Sequence, residues 1–420
     1  MQRKGTLGLI ATNTVAQGDS REVGLDAMIA DGFTITRAIQ SRPWPAASAN
    51  LEYAAVWGRL GEVAADVPRV ADDVAVRRIS TLLEGAGRAD GLPKRLGENS
   101  GIAYIGCYVL GMGFVIDIAE AQEWIAADAR NAEILFPYLN GEDLNQRPDA
   151  SASRWVIDFN DRNEAEAATY AFPYARVAEL VRPERLQNQR KPRRDYWWQF
   201  AERATGMRKA VADLSEVLVI ARVSKTVMPQ RVSTGQVPSD QCVIFASDSY
   251  SAQAILSSSL HQTWAITYGS TLETRVRYTP SDVFETFPLP ETTDRLDAVG
   301  YSLDAERREI MLRRDLGLTK LYNLVNDPVI KWDKDVDRLR EIHVEIDEAT
   351  VAAYGWDDVR LDHGFHLYRQ VERWTLSPSS RVETLDRLLF ENHRRLEAGP
   401  SYRASARTRA IASSEDTLFD

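Results

Sequence analysis

The sequence is poor in cysteine and has no long apolar run. Its 420 residues include only Cys107 and Cys242, which are far apart and in no metal-ligand spacing. This excludes a disulfide-stapled secreted scaffold and suits a reducing compartment. No stretch approaches the roughly 20 consecutive apolar residues of a membrane helix, and the first residues, MQRKGTLGLIATNT, have too short an apolar core for a signal peptide. We therefore expect a cytoplasmic protein that is neither exported nor membrane-spanning.

Several motifs of hydrolytic and metal-dependent chemistry are also missing. The sequence contains no HExxH, no GxSxG and no credible PD-(D/E)xK constellation. His363 and His366, three residues apart, and the pair His343 and Asp347 have spacings compatible with metal ligation. However, Gly364 disfavours a regular helix there, and no cysteine accompanies these residues. We interpret the histidines as structural or surface residues and predict no metal site, and a hydrolase using His363 and His366 would lack a nucleophile.

Acidic residues outnumber basic residues in the whole sequence, but one segment is strongly basic. The formal net charge is -10, yet residues 182–209 contain nine Arg or Lys and only three acidic residues. Aromatic residues interleave with this run at Tyr196, Trp197, Trp198 and Phe200, a pattern that suits phosphate contact and base stacking. Neighbouring Trp197 and Trp198 point to different sides, so at least one belongs to the core. The predicted contacts to a DNA backbone are Arg190, Lys191, Arg193, Arg194 and Arg203, and the alternative is a solvated charged face.

The length of the chain and its hydrophobic periodicity predict several structural regions. The segments at Thr6–Asn13, Arg21–Asp31, Phe33–Gln40 and Leu51–Leu60 read as strand, helix, strand and strand, which is part of an α/β sheet that starts in the middle. Residues 61–100 lack a sustained period and are predicted to be a linker. The remaining prediction is an α+β domain over 101–290, a mostly helical region over 291–400 and a flexible tail over 401–420.

The segment TLETRVRYTP, Thr271–Pro280, gives a specific hypothesis. If it is one strand, Glu273, Arg275 and Arg277 project from one face because side chains alternate with a period of two. Arginine can donate two hydrogen bonds to guanine and glutamate can accept one from cytosine, so this face could read a G·C pair in the major groove. The alternative is a cross-strand salt bridge. Arg222 and Lys225, in ARVSK, are further candidates for the same groove.

Several sequence segments, taken in the order of the chain, carry a resemblance to a known family. They are GLIATNTVAQGDSREVGLD, RPWPAASANLEYAAVW, YVLGMGFVI, LFPYLNGEDLNQRP, RWVIDF, YWWQF, ARVSK and GSTLETRVRYTPSDVFETFPLP. Together they resemble the C-terminal half of fused type II restriction-modification enzymes and phage-exclusion methylases, which are adenine-specific DNA methyltransferases. The resemblance implies that residues 1–60 are the end of a Rossmann-like methyltransferase domain and that residues 101–290 recognise the target sequence.

The resemblance also implies roles for individual residues. The position of Glu273 and Arg275 corresponds to a Glu-x-Arg pair that helps to read one base pair. Trp44, between two prolines in RPWPAAS, occupies the sort of loop in which such enzymes hold an aromatic ring against a flipped base. The alternative for Trp44 is a hydrophobic plug at the end of a sheet.

The catalytic signature of that family is not in the sequence. The methyl-donor loop and the Asn-Pro-Pro-aromatic motif would lie N-terminal to the region of resemblance, and neither is present. The nearest lookalike, LLEGAGRADG from Leu82 to Gly91, continues into turn formers instead of opening a helix. We therefore predict no catalytic and no cofactor-binding residue in this chain, with S-adenosylmethionine serving only the complete enzyme.

These observations leave two hypotheses. The first is the recognition portion of an adenine-N6 DNA methyltransferase of a restriction-modification or phage-defence system, which binds double-stranded DNA and is inactive alone. The second is a non-catalytic specificity or scaffold subunit that partners a separate methylase chain. An unpaired edge of the sheet formed by residues 6–60 would favour such a partner.

Overall fold

The computed structural model describes residues 5–16, 18–44, 52–64, 66–86, 91–272, 275–368 and 371–399. Within them the chain forms a mixed α/β structure of several small sheets and helices, as expected from the alternation of short apolar runs with helical patterns. No described helix combines the length and the apolar character needed to cross a membrane.

The N-terminal region forms a five-stranded sheet in the order β1-β3-β2-β4-β5. The strands are β1 (Thr6–Thr12), β2 (Phe33–Pro43), β3 (Glu52–Leu60), β4 (Arg69–Ala71) and β5 (Val74–Val76). Between β1 and β2 lie a 3-10 turn, two short helices and a π-helical turn: Asn13–Ala16, α1 (Gly18–Arg21), Glu22–Asp26 and α2 (Ala27–Ala30). The predicted strand-helix-strand-strand order is found at these positions.

The pairing in this sheet is mixed. Strand β3 runs antiparallel to both β1 and β2, so β1 and β2 are parallel to each other with β3 between them. Leu25 from the helical connection packs in one buried cluster with Ile35 and Val56 of the sheet. The segment predicted as a linker contributes β4, β5 and the two-residue strands β6 (Arg78–Ile79) and β7 (Gly85–Ala86), so the sheet extends past the predicted boundary at residue 60.

The central region contains two four-stranded sheets, in the orders β15-β10-β11-β9 and β14-β12-β16-β8. Strand β12 is apolar and almost entirely buried, because β14 and β16 pair with its edges and its alternate side chains pack into two hydrophobic clusters. The strands are β8 (Ala103–Ile105), β9 (Val115–Ile116), β10 (Leu135–Leu139), β11 (Arg154–Ile157), β12 (Glu216–Ala221), β13 (Val223–Ser224), β14 (Gln230–Ser233), β15 (Val237–Pro238) and β16 (Cys242–Phe245).

Nine helices accompany these sheets. They are α3 (Ile118–Ala127), α4 (Gly141–Gln146), α5 (Glu164–Ala167), α6 (Ala171–Leu180), α7 (Arg182–Arg185), α8 (Lys191–Asp195), α9 (Thr205–Ala210), α10 (Tyr250–Ser257) and α11 (Ser259–Tyr268), among the described residues. The segment SAQAILSSSLHQTWAITYG has a helical pattern, and the structure divides it into α10 and α11. The division occurs because Ser258 is extended and its hydroxyl caps the start of α11 by accepting from the His261 amide.

The C-terminal region is mostly helical, as predicted. It contains the helices α12 (Asp294–Arg314), α13 (Leu318–Val325), α14 (Lys334–Ala353) and α15 (Pro378–Ala398) and the strands β19 (Gly364–Tyr368) and β20 (Val371–Thr375). The strands β17 (Ser270–Leu272) and β18 (Arg275–Arg277) and a π-helical turn, Pro280–Phe284, precede it and belong to the central region. On α14 the helical spacing of Leu339, Ile342, Ile346, Ala349 and Ala353 predicts one apolar face, and the first four of these are buried while Ala353 is partly buried.

One hydrophobic cluster joins the central and C-terminal regions. Phe245 and Trp264 of the central region pack in the same cluster as Leu303, Leu339 and Leu388 of the last helices. The close contact is possible because Gly300 on α12 has no side chain, since a Cβ there would lie 2.0 Å from the Tyr250 carbonyl oxygen. The helical region therefore packs directly against the central sheets instead of standing apart from them.

Candidate nucleic-acid interface

Four of the predicted base-reading residues lie in one cleft. Arg222 and Lys225 flank β13, and Arg275 and Arg277 lie on the neighbouring strand β18, with which β13 pairs. The cleft has a volume of about 1150 Å³. It is lined by Gly141, Glu142, Asn145, Gln146, Arg222, Val223, Ser224, Lys225, Asp240, Gln241, Arg275, Arg277, Thr319, Lys320 and Asn323. The structure thus brings these four residues together on one surface, and their role in base reading stays a prediction.

The cleft is strongly cationic on an acidic protein. Five of its lining residues are basic and two are acidic, although the whole chain has a formal net charge of -10. A concave surface with one sign of charge concentrates the local field and attracts ions of the opposite sign. The basic residues are Arg222, Lys225, Arg275, Arg277 and Lys320, and the acidic ones are Glu142 and Asp240.

The strand that carries the two arginines is part of a hairpin, which corrects the prediction of one continuous strand over Thr271–Pro280. Strands β17 and β18 pair antiparallel with Leu272 opposite Arg275, so the chain reverses between them and both strands satisfy their backbone groups by pairing. In β18 the expected alternation holds, since Arg275 and Arg277 are exposed and Val276 is buried. Glu273 lies outside the described residues.

Backbone hydrogen bonds hold Arg222 at the junction of three elements. Its amide donates to the Gln241 carbonyl at 2.7 Å, and its carbonyl accepts from the Tyr278 amide at 2.7 Å. The guanidinium Nη1 donates to the Asp240 carbonyl at 3.4 Å. Its buried Nε has no hydrogen-bond partner among the described residues. The side chain therefore retains an unused donor at the edge of the cleft.

A second cleft adjoins the first at Arg222 and Asp240. It has a volume of about 1060 Å³, and Arg193, Arg203 and Tyr196 of the predicted basic aromatic run are among the residues that line it. The two clefts are therefore neighbours, with Arg222 and Asp240 lining both.

The residues of the basic run divide into exposed and internally bonded groups. Arg190 and Lys191 are exposed and make no ion pair with the described residues. Arg193 contacts Glu202 at 3.4 Å. Arg194 donates to the carbonyls of Asn188 and Gln189, and Arg203 donates to that of Asn160. The exposed pair is thus the part of the run best placed to meet an external anion.

The aromatic residues of the run are mainly core residues. Trp197 and Trp198 are both buried, and the Trp198 indole donates to the Arg162 carbonyl at 3.0 Å. Phe200 is buried as well, whereas Tyr196 is 54% exposed. The stacking interpretation therefore applies to Tyr196 and not to the tryptophans.

Trp44 lies at the end of β2 and is 41% exposed. Its ring meets that of Tyr53 edge to face, with 5.6 Å between the centroids. It lines neither of the two clefts. The base-stacking role predicted for Trp44 stays a prediction.

The histidines and cysteines bond inside the protein. The His363 Nε2 lies 2.9 Å from an Asp347 carboxylate oxygen, and the His366 Nε2 lies 3.3 Å from the Asp362 carbonyl. No group of three potential metal ligands occurs among the described residues. Burial raises the pKa of the Cys107 thiol to about 11 and that of the Cys242 thiol to about 12, so neither is a thiolate near neutral pH.

The described residues of the glycine-rich segment Leu82–Gly91 include a short strand. Gly85 lies in β7, paired with β6, and a Cβ on it would lie 2.6 Å from the Val76 side chain and 2.7 Å from that of Val382. Gly85 is therefore tightly packed against these side chains and does not border an open space for a ligand. The described residues of this segment therefore do not fit a bound methyl donor.

Some residues that line the first cleft were not predicted from the sequence. Glu142, Asn145 and Gln146 come from α4, and Thr319, Lys320 and Asn323 come from α13. The α4 residues lie within the phrase LFPYLNGEDLNQRP, so the resemblance could have indicated them. The α13 residues carry no local signal, because only the packing of α13 beside α4 brings them to the cleft.

The comparisons with known proteins agree with this architecture. Residues 107–291 match the family model described as the MmeI target recognition domain. The chain is similar in fold to the type IIL restriction-modification enzyme MmeI, solved in complex with DNA, with a TM-score of 0.66 and 17% identity. That match covers 93% of this chain and 50% of the MmeI chain, so this chain spans half the length of that enzyme.

A second structure, the type IIG restriction endonuclease BpuSI, aligns with 84% of this chain and 48% of its own at 11% identity, with a TM-score of 0.28. Among curated proteins there is no significant match to this sequence. The resemblance predicted from the sequence is confirmed: residues 107–291 match the target recognition domain family of the restriction-modification enzyme MmeI.

Proposed function

We propose that this chain recognises a DNA sequence as the reading portion of an S-adenosylmethionine-dependent adenine-N6 methyltransferase of a restriction-modification or phage-defence system. The observation that carries the proposal is the cationic cleft of Arg222, Lys225, Arg275 and Arg277, within the region that matches a target recognition domain. Exposed arginines on a short strand are suited to donate paired hydrogen bonds to guanine in the major groove.

The cleft and the exposed residues of the basic run have different roles in this proposal. The β17-β18 hairpin and Arg222 contact base edges and set the sequence preference. Arg190 and Lys191, which are exposed, contact phosphates and orient the duplex without reading its sequence. Glu273 remains the proposed partner of Arg275 in reading one base pair, and Trp44 the proposed stacking residue for a flipped base.

Two substitutions test this division. Arg275→Ala is expected to relax the preference at one base pair, at a cost of about 1–3 kcal/mol for the preferred sequence. Lys191→Ala is expected to weaken the binding of all sequences alike. It should also lower the slope of log affinity against log salt concentration by about one. Both effects can be measured by fluorescence anisotropy with labelled duplexes at several salt concentrations. Equal losses on every sequence for Arg275→Ala would refute base reading by that residue.

The chain alone is proposed to be inactive as a methyltransferase. An adenine amino group must be aligned with a sulfonium methyl by the Asn-Pro-Pro-aromatic motif, and the 420 residues contain neither this motif nor a methyl-donor loop. Methyl transfer from labelled S-adenosylmethionine to DNA tests this directly. Robust transfer by the purified chain would overturn the proposal of inactivity.

A second candidate function is a specificity or scaffold subunit that acts with a separate methylase chain. The supporting observation is strand β1, which is at the edge of its sheet and has no strand on its outer side among the described residues. Its Ile10 side chain is 59% exposed. Unpaired strand edges are templates for another chain. Co-purification with a chain bearing the Asn-Pro-Pro-aromatic motif would favour this function, and a stable soluble monomer would count against it.

A further inference from the structure

Helix α13 has one buried face and one face toward the candidate DNA cleft. Leu318, Leu321, Tyr322 and Val325 are buried in the core. On the opposite side Lys320 and Asn323 are exposed and line the cleft that also contains Arg275 and Arg277. The C-terminal helical region therefore supplies one wall of a cleft whose other walls belong to the target recognition domain.

The position of this helix is fixed by close contacts. At Gly317, just before α13, a Cβ would lie 2.3 Å from both the carbonyl carbon and oxygen of Gln146 at the end of α4. The Tyr322 hydroxyl lies 2.8 Å from the His343 Nε2, and the Arg340 Nε donates to the Val325 carbonyl at 3.0 Å. These contacts hold α13 against α4 and α14, with its exposed face toward the cleft.

The two exposed side chains have unused hydrogen-bonding capacity. Neither the Asn323 amide nor the Lys320 ammonium makes a side-chain hydrogen bond or ion pair with the residues that the structure describes. An asparagine amide can donate to N7 and accept from N6 of adenine, and an ammonium group suits a phosphate oxygen as a point charge. Their position and chemistry therefore match a duplex bound in the cleft.

We propose that α13 is part of the reading surface, with Asn323 contacting an adenine edge and Lys320 contacting a phosphate. This inference rests on the proposed DNA recognition and extends it beyond the target recognition domain. Sequence preference is then a joint property of the β17-β18 hairpin and of the C-terminal helical region.

Three variants of the full chain test this inference: Asn323→Ala, Lys320→Ala and, as a matched control, Lys331→Ala, whose exposed side chain lines neither cleft. Each variant is used to select bound duplexes from a random library, and its affinity for the best wild-type duplex is measured at several salt concentrations. Thermal unfolding of each variant establishes that the fold is intact.

The expected result differs between the two sites. Asn323→Ala loses the preference for adenine at one position and binds the best wild-type duplex about tenfold more weakly. Lys320→Ala keeps the preferred sequence, weakens all duplexes, and lowers the slope of log affinity against log salt by about 0.9. Lys331→Ala behaves as the wild type.

Two outcomes would overturn the inference in distinguishable ways. If the wild type selects a sequence and Asn323→Ala and Lys320→Ala both behave like Lys331→Ala, the role of α13 is wrong and the proposed function stands. If the wild type binds no duplex above the level of an unrelated acidic protein, the proposed function fails and the inference fails with it.

Discussion

At the scale of single residues, the basic run of residues 182–209 mixes structural and surface arginines. Arg185 is buried, and its guanidinium donates to the carbonyls of Leu110, Val109 and Gln199 at 2.9, 2.8 and 3.1 Å. Burial lowers the pKa of Arg185 to about 10, which still leaves it charged at neutral pH. The charge is retained because three carbonyls solvate it in place of water.

This distinction predicts opposite phenotypes for two basic residues. Arg185→Ala leaves three buried carbonyls without their donor and removes packing, so we expect a loss of about 2–4 kcal/mol in the free energy of unfolding. Lys191→Ala, at an exposed position, should change stability by less than about 0.5 kcal/mol while weakening DNA binding. Urea unfolding of the two variants measures the difference. A fully stable Arg185→Ala protein would contradict the structural role.

The sequence could not separate these residues. Arg185, Lys191 and Arg194 look equivalent in the sequence. Only the tertiary structure shows which of these side chains donate hydrogen bonds to carbonyl groups of the protein itself. The same holds for Trp197 and Trp198, where the pattern placed at least one in the core and the structure buries both. Alternation along β18 was predictable, because the burial of Val276 fixes the exposure of Arg275 and Arg277 on either side.

At the scale of elements, the cleft depends on the close approach of α13 and α4. Gly317→Ala would place a Cβ against the Gln146 backbone, so either the helix moves or the contact is strained. We expect a loss of about 1–3 kcal/mol in stability together with weaker specific DNA binding. Gly97→Ala is the matched control, because a Cβ there meets nothing within 4 Å. If both variants unfold at the same temperature, the Gly317 contact is not tight.

A buried histidine in helix α11, His261, is expected to make the stability of the protein depend on pH. His261 is buried, and its ring nitrogens lie 2.8 Å from the Leu256 carbonyl and 2.9 Å from the Tyr278 hydroxyl. Burial lowers the pKa of His261 from 6.5 to about 4. The unfolded chain therefore binds a proton that the folded protein does not bind over this pH range.

The sign of the effect follows from this difference. The contribution of His261 to stability is complete above pH 6.5 and is lost as the pH falls from 6.5 toward 4. The melting temperature of the wild type should therefore fall more steeply over that range than that of His261→Gln, as measured by circular dichroism. Equal slopes for the two proteins would contradict the assignment of a neutral buried His261.

Elements with a strong local pattern were predictable, and elements made by long-range pairing were not. The stripe of Leu339, Ile342 and Ile346 identifies α14 because one face of a helix must bury its apolar side chains. In contrast, TLETRVRYTP reads as one strand, and only the pairing of Leu272 with Arg275 reveals the hairpin. The contribution of α13 to the cleft depends on packing between residues distant in sequence, for which no local signal exists.

At the scale of the whole molecule, the central region and the C-terminal helices share a hydrophobic core. Leu218 and Phe245 of the central sheet belong to the same buried cluster as Leu339 and Leu388. A cleft formed between regions that share a core keeps its shape without a ligand, which lowers the conformational cost of binding. The predicted division at residue 290 therefore separates segments of the sequence that pack together in space.

The proposed DNA reading by this acidic chain depends on its cationic cleft. Selection of duplexes from a random library by the wild-type chain and by Arg275→Ala tests this role. The wild type is expected to enrich one short motif, and the variant is expected to lose discrimination at one base pair of that motif. Recovery of no motif by the wild type, or of an unchanged motif by Arg275→Ala, would contradict this role of the cleft.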